Sequence, residues 1–439
     1  MRGRAPWLVA LLALTLLAPA AAAPRSQAKP ALLTNKPGRV WVRFKQPQGQ
    51  ALHERASALA GVEVDALVGE LNAVIVKVAA GQEAHLAARL AARPDVAYAL
   101  AIPRAQAQRI PNDEGYSRQW GLAAIRAAEA WDVITGTREI VIAVVDTGVD
   151  LSHPDLAAQV WTNPGEVPGN GLDDDGNGKV DDVHGWHFYQ ICSSTECYAM
   201  EDANVQDDHH HGTHVAGVAA AATDNRMGVA GVAWGARIMP VKVLGSDGEG
   251  WYDDIVRGIL YAADNGARII NLSLGGPDPF PPLQEALAYA RARGALSVAA
   301  TGNKSEPVYY PAAYPEAMAV AATDSSDARG SFSNYGPAVS VAAPGVGVES
   351  TLPGGQYGLL TGTSVAAPHV AGLAALIWSL HPDYSASQVQ RTIELSASDV
   401  NAAALPGRDH QLGWGRIDAG RAVRQRIYGY QAPLVHGSR

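Results

Sequence analysis

Three separated segments carry side chains that together could cleave an acyl bond: Val144-Val145-Asp146-Thr147-Gly148, His211-Gly212-Thr213-His214-Val215-Ala216-Gly217 and Gly362-Thr363-Ser364-Val365-Ala366-Ala367-Pro368-His369. A serine hydroxyl is a poor nucleophile at neutral pH until a positioned imidazole removes its proton and a carboxylate fixes the tautomer of that imidazole. Asp146, His211 and Ser364 supply those groups in the chain order acid, base, nucleophile. Plainer roles exist for each type of residue. Ser364 opens an apolar run and a serine there can simply cap a helix. His209, His210 and His214 read as loop or packing histidines, with metal binding by the His209-His210-His211 run as the lesser alternative.

The elements that must position these groups are legible too. Residues 139–145 form an apolar, β-branched run, the pattern of a strand buried on both faces of a parallel sheet. Asp146 then falls at the carboxyl end of that strand, where open α/β sheets form their ligand crevice. The small-residue segment 214–222, opened by His211, reads as a buried helix, and Ser364 starts a second apolar stretch running to Trp378. A helix start aims free backbone N–H groups, that of Ser364 included, at any oxyanion formed beside it.

Four further blocks follow in order: Ile269-Ile270-Asn271-Leu272-Ser273-Leu274-Gly275, Val298-Ala299-Ala300-Thr301-Gly302-Asn303, Tyr310-Pro311-Ala312-Ala313-Tyr314-Pro315 and Gly413-Trp414-Gly415-Arg416-Ile417-Asp418-Ala419. With the first three, they make residues 112–423 resemble the subtilisin-like serine proteases, or subtilases, of the thermitase-like kind. One departure is Val365, where the family usually has Met behind the nucleophile. The resemblance implies an α/β fold, a doubly wound and mostly parallel sheet flanked by helices. It implies a secreted serine endopeptidase acting on protein or peptide substrates through an acyl-enzyme on Ser364, with His211 as general base and acid and Asp146 orienting it. Asn303 would complete the oxyanion hole, against the plainer reading of a turn residue after Gly302. By the same likeness Ser273, Leu274 and Gly275 receive extended substrate, Ala299, Ala300, Thr301 and Gly302 wall the primary pocket, and Tyr309 lies at its floor.

An esterase or lipase would also use serine, histidine and a carboxylate. Such enzymes carry Gly-x-Ser-x-Gly and the order Ser, acid, His, and neither feature is found here. A vestigial, non-catalytic fold is the other rival, and the intact acid, base, nucleophile and Asn303 oppose it. The net charge of −9 and the absence of a basic stripe argue against a nucleic-acid partner.

At the N-terminus, Arg2 and Arg4 precede the apolar residues 7–17 and the alanine-rich residues 18–23, the pattern of a secretory signal peptide over 1–23. A membrane anchor would need about 20 apolar residues, so no membrane association is expected and the protein should be extracellular or periplasmic. Strand-like runs at 39–44, 62–67, 73–78 and 96–100 alternate with helical patterns at 51–60 and 82–93. That β-α-β-β-α-β order predicts a small ferredoxin-like α+β domain over residues 30–103. The resemblance makes it an inhibitory propeptide, an intramolecular partner removed by self-cleavage in the polar linker 104–111. The catalytic domain is then expected over 112–425, with a short tail at 426–439 and a monomeric enzyme. Residues 191–198 read as a polar loop, in which Cys192 and Cys197 should join as a local disulfide in an oxidising compartment.

Calcium is the expected cofactor, structural rather than catalytic. Asp173, Asp175, Asn177 and Asp181 place oxygen ligands at alternate positions of an EF-hand-like loop, although His184 stands where an EF-hand has its bidentate Glu. A solvated acidic turn is the plainer reading. The resemblance implies a second calcium site from Asp113, Asp155 and Asn225.

Overall fold

The computed structural model describes residues 35–45, 52–59, 61–103, 109–193 and 196–425. The expected signal peptide, the start of the expected propeptide, most of the linker and the tail lie outside the described residues. The chain divides into two compact units between Ala107 and Gln108.

In the smaller unit the elements run β1 (Asn35–Phe44), α1 (Leu52–Ser57), β2 (Val64–Val68), β3 (Ala73–Lys77), α2 (Glu83–Ala91) and β4 (Val96–Pro103). The strands pair antiparallel in the order β2-β3-β1-β4, the ferredoxin-like arrangement that the β-α-β-β-α-β order predicts. Alternation is the cause: Val40, Val42 and Phe44 point to one face of β1 and are buried there against Val74, Val76, Leu86 and Leu90.

The larger unit begins with two short helices, α3 (Trp120–Ala124) and α4 (Ala127–Trp131). Strand β5 (Val141–Asp146) follows, then β6 (Trp186–Cys192), β7 (Cys197–Asp202), α5 (His211–Ala220) and β8 (Arg237–Lys242). Next come α6 (Tyr252–Asp264), β9 (Ile269–Leu272), α7 (Pro281–Ala292), β10 (Leu296–Ala300), β11 (Ala317–Thr323) and β12 (Val339–Pro344). A hairpin of β13 (Val348–Leu352) and β14 (Gln356–Leu360) leads into α8 (Thr363–Leu380). The main sheet has the order β12-β11-β10-β9-β5-β8-β6-β7 and is parallel throughout except for the antiparallel edge strand β7.

Strand order reverses direction at β5, where β8 lies on one side and β9 on the other, so the crevice of a doubly wound sheet opens at the end of β5. Ile142 and Val144 face one core, shared with α5 and α8, while Val141, Ala143 and Val145 face a second core under α6 and α7. Burial on both sides is why this strand shows no polar alternation. Among the described residues, α8 alone is long and apolar enough to cross a membrane, but most of it is buried as the central helix of the protein. It approaches α5 closely at Gly372, where a Cβ would lie 2.6 Å from Val232 Cβ and 2.9 Å from the Ala219 carbonyl.

Two local expectations are corrected. Helix α5 opens at His211 as expected, behind a His210 N-cap with φ 122°, but it ends at Ala220, two residues short of 222, where the Ala222 N–H turns to the Asp155 carbonyl at 2.7 Å. Within the expected polar loop 191–198, Ile191 and Cys192 pair with Tyr198 and Cys197 as part of the β6–β7 hairpin at the sheet edge. Cys192 and Cys197 form the expected disulfide and face each other across its two strands.

Candidate active site

Strand and helix ends bring the predicted residues together. Asp146 ends β5, His211 opens α5 and Ser364 is the second residue of α8. His211, Asn303 and Ser364 line one cavity of about 700 Å3, with Asp146 fully buried behind the imidazole. His211 Nδ1 lies 2.7 Å from Asp146 Oδ1, which also accepts the N–H of Thr147 at 2.8 Å. That contact assigns the neutral imidazole's proton to Nδ1 and leaves Nε2 free to accept another. Burial opposes charge on His211, but the charge and hydrogen bond of Asp146, helped by the charge of Asp207, outweigh it and hold the imidazole above the usual histidine range.

Gly362 shows how tightly the Ser364 hydroxyl and the Asn303 amide are juxtaposed. A Cβ there would lie 3.0 Å from Ser364 Oγ and 3.1 Å from Asn303 Nδ2, so both groups converge on the space its missing side chain leaves. The Asn303 carboxamide has a fixed sense. Its Oδ1 accepts from Thr363 N–H at 2.8 Å and from Thr363 Oγ1 at 2.9 Å, which leaves the NH2 to face the cavity. Thr363 Oγ1 in turn accepts the Gly302 N–H at 3.1 Å. Sequence reasoning did not single out Thr363; its only signal is adjacency to the nucleophile.

Ser273, Leu274 and Gly275, just past β9, line the same cavity, as do Ala300, Gly302 and Tyr309. Ser273 has a second task, since its hydroxyl donates to the Ser364 carbonyl at 2.6 Å. Ala299 and Thr301 are fully buried behind the wall and do not line the cavity. The Tyr309 ring lies against Gly302, 3.0 Å from where a Cβ would stand, and its hydroxyl donates to Glu306 at 2.8 Å. The opposite wall was missed from sequence: Asp247 to Tyr252, including the exposed Trp251, follow the carboxyl end of β8. Their place beside β5 follows from sheet order, which the sequence alone does not state.

Two acidic groups gather oxygen ligands of the kind a hard cation needs. At the loop before β6, Glu166, Asp173 and Asp175 bring carboxylate oxygens within 4.8 Å of one another. Glu166 was missed, lying outside the motif, and it supplies the decisive observation. It is 7% exposed, its Oε1 accepts the N–H groups of Asp174 and Asp175, and its Oε2 is buried with no hydrogen-bond partner. An orphaned carboxylate oxygen beside two others is what a hard cation satisfies. Asn177 adjoins the group, donating to Asp175 Oδ2 at 3.1 Å. Asp181 is not brought to it, because its oxygens accept the N–H groups of Gly169 and Gly171.

Asp113, Asp155 and Asn225 do converge. Asn225 Nδ2 donates to Asp155 Oδ1 at 2.7 Å, and Asp113 accepts from the N–H of Asp224 at 3.0 Å. Burial, with the charge of Asp155, pushes the Asp113 carboxyl above its ordinary range. The two buried carboxylates suit a hard cation, while Asn225 turns its NH2 to Asp155 and its Oδ1 accepts the Met227 N–H at 2.8 Å. The remaining histidines have other partners. His214 is held neutral by burial, with its pKa pulled down to about 3 and its Nε2 donating to the Val348 and Gly358 carbonyls. His209 stacks on His210 at 4.2 Å and also lines the cavity.

Residues 137–415 match the profile of the subtilase family. The chain is 41% identical over 316 residues to thermitase of Thermoactinomyces vulgaris, an alignment covering 72% of this chain and 99% of that protein. It is 39% identical over 307 residues to subtilisin BL of Lederbergia lenta, covering 70% and 98%. The solved structure described as proteases from Pseudoalteromonas arctica PAMC 21717 superimposes with a TM-score of 0.61 at 31% identity, covering 72% of this chain and 99% of that one.

Proposed function

The chain belongs to the subtilase family of serine endopeptidases, and on that premise we propose that Ser364, His211 and Asp146 are its catalytic triad and Asn303 its oxyanion donor. The observation that carries this reading is the 2.7 Å contact of His211 with buried Asp146 on the wall of a cavity that also holds Ser364 and Asn303. His211 Nε2 takes the Ser364 proton as Oγ attacks the scissile carbonyl carbon. The resulting oxyanion is stabilised by Asn303 Nδ2 and the Ser364 N–H. Collapse breaks the C–N bond, and His211 returns the proton to the leaving amine. Water, activated by the same imidazole, then hydrolyses the ester on Ser364.

Asn303→Ala should lower kcat by about 10² to 10³, the scale for loss of one oxyanion donor, with KM nearly unchanged. Steady-state kinetics on a peptide substrate test this; a loss below about threefold would remove Asn303 from the mechanism. The pH profile follows from the direction of the His211 shift. A base works only when neutral, and a raised pKa keeps His211 charged to higher pH. The acid limb of kcat/KM should therefore have its midpoint above the ordinary value of about 6.5, with activity lost as pH falls through it. A midpoint below that value contradicts the assignment.

Calcium is proposed as a structural cofactor at both acidic groups, held by Glu166, Asp173 and Asp175 in one and by Asp113, Asp155 and Asn225 in the other. It would neutralise packed carboxylates and tie surface segments to the catalytic body. Chelation with EGTA should lower the calorimetric midpoint by roughly 5 °C or more, since an ion saturating the native state contributes about 2 to 3 kcal/mol per site. An unchanged midpoint overturns the calcium reading. The signal peptide, secretion and the inhibitory role of the small α+β unit belong to the same proposal, supported by the family and by the ferredoxin-like fold of residues 35–103.

A further inference from the structure

We propose that Asp207, four residues before His211, is a second carboxylate of the catalytic site: a positioning residue that fixes the backbone on both sides of the base and adds its charge to that of Asp146. The inference rests on the reading of His211 as the base. Asp207 is 5% exposed. Its Oδ1 accepts from the Thr147 hydroxyl at 2.9 Å and from the N–H groups of His209 and His210, each at 3.0 Å. Its Oδ2 accepts from the N–H of Thr213 at 2.9 Å and from the Thr213 hydroxyl at 2.6 Å. All five contacts are donors aimed at the carboxylate, and none comes from a cation.

The arrangement brackets His211. Backbone N–H groups at 209 and 210 are held on one side and at 213 on the other, while the Gly212 N–H donates to Thr147 Oγ1 at 2.9 Å. Thr147 is thus shared: its hydroxyl joins Asp207 to Gly212, and its N–H lies on Asp146. One residue therefore couples the two carboxylates. His210 has φ 122°, a conformation a side-chain-bearing residue holds only when its surroundings dictate it, and the hydrogen bond to Asp207 is one such constraint. Asp207 also stands at the N-terminal end of α5, where negative charge is favoured.

Other charged and titratable groups do not replace it. From β5, Asp146 faces the imidazole directly. From the preceding loop, His209 and His210 would add only positive charge, and His209 is held below the usual histidine range by burial and then by its neighbours. His214 on α5 and His369 on α8 are kept neutral by burial. Lys242 on β8 is engaged by the Thr147 carbonyl and Asp208. The negative charges around the developing imidazolium are then Asp146, in contact, and Asp207, through Thr147 and the backbone.

The test is the pH dependence of Asp207→Asn, which keeps size and removes charge. The acid limb of kcat/KM should move down by about half a pH unit or more, the scale of one partly screened charge at this range. Plateau kcat should fall about tenfold with KM within about twofold. A purely structural role would lower the thermal midpoint and leave the limb in place, and an unmoved limb with near-normal kcat overturns the inference. Should the Asn variant not accumulate as folded enzyme, Thr147→Val decides: kcat falls at least about threefold at constant KM, and Thr147→Ser, which retains the hydroxyl, restores it. No loss in Thr147→Val, or equal loss in both, overturns the positioning role. Ser364→Ala run in parallel separates the failures. If it stays active the triad reading itself is wrong; if it is inactive while Asp207→Asn leaves the profile unmoved, only this inference falls.

Discussion

Ser364→Ala should lower kcat by about 10⁶ at nearly unchanged KM, the scale known for loss of the nucleophile in this family. The change deletes one oxygen at a half-buried position, and the backbone carbonyl of residue 364 keeps its hydrogen bond from Ser273. Folding and substrate binding therefore survive while the attacking atom is lost. The residual rate, about 10³ to 10⁴ above water, comes from Asn303, the backbone N–H and the cavity itself. Peptide hydrolysis by the purified variant, read against its thermal midpoint, checks this. Activity within about a hundredfold of the parent would mean that another group attacks. If the small α+β unit is removed by self-cleavage, the same variant accumulates as the unprocessed chain, and catalytic amounts of parent enzyme trim it to the mature N-terminus.

Asp146→Asn is expected to reduce kcat by about 10⁴. Asp146 Oδ1 accepts from both His211 Nδ1 and Thr147 N–H, so its oxygen selects the tautomer that leaves Nε2 able to accept. An asparagine NH2 turned toward Nδ1 selects the other tautomer and places the proton on the wrong nitrogen. Loss of the carboxylate also removes the main influence that raises the His211 pKa, so the acid limb should shift to lower pH as the plateau falls. Both readouts come from one set of pH–rate curves. A plateau loss under about tenfold would leave Asp146 without its proposed part in the mechanism.

How far the sequence alone reached depends on what kind of information each element needed. Strand β5 is legible because burial on two faces leaves an unbroken apolar run, and α8 because it is apolar all round. The chemistry is legible because each reactive residue sits in a short block with its own local pattern. The end of α5 is not, since small residues continue to 222 while a tertiary hydrogen bond from the Ala222 N–H to the Asp155 carbonyl draws the chain away after Ala220. Glu166 and the 247–252 wall are likewise hidden: nothing local marks them, and only the folded loops bring them to Asp173 and to the cavity. The β6–β7 hairpin carries no turn signal strong enough to outweigh its polar composition, although Cys192 and Cys197 mark it as locally cross-linked. Ala299 and Thr301 show the converse limit, because a block can match a pattern while some of its side chains are buried behind the cavity wall.

Thr363 carries an implication for anyone wishing to tune this enzyme. One residue grips the Asn303 carboxamide through both its amide and its hydroxyl, and the very next residue is Ser364. On the proposed roles, attack and charge stabilisation hang from a single backbone joint, and a displacement of that joint carries Ser364 and the Asn303 carboxamide along together. Redesigning residues 360–363 to broaden the cleft would tilt both at once, so the penalties would multiply and could not be traded one against the other.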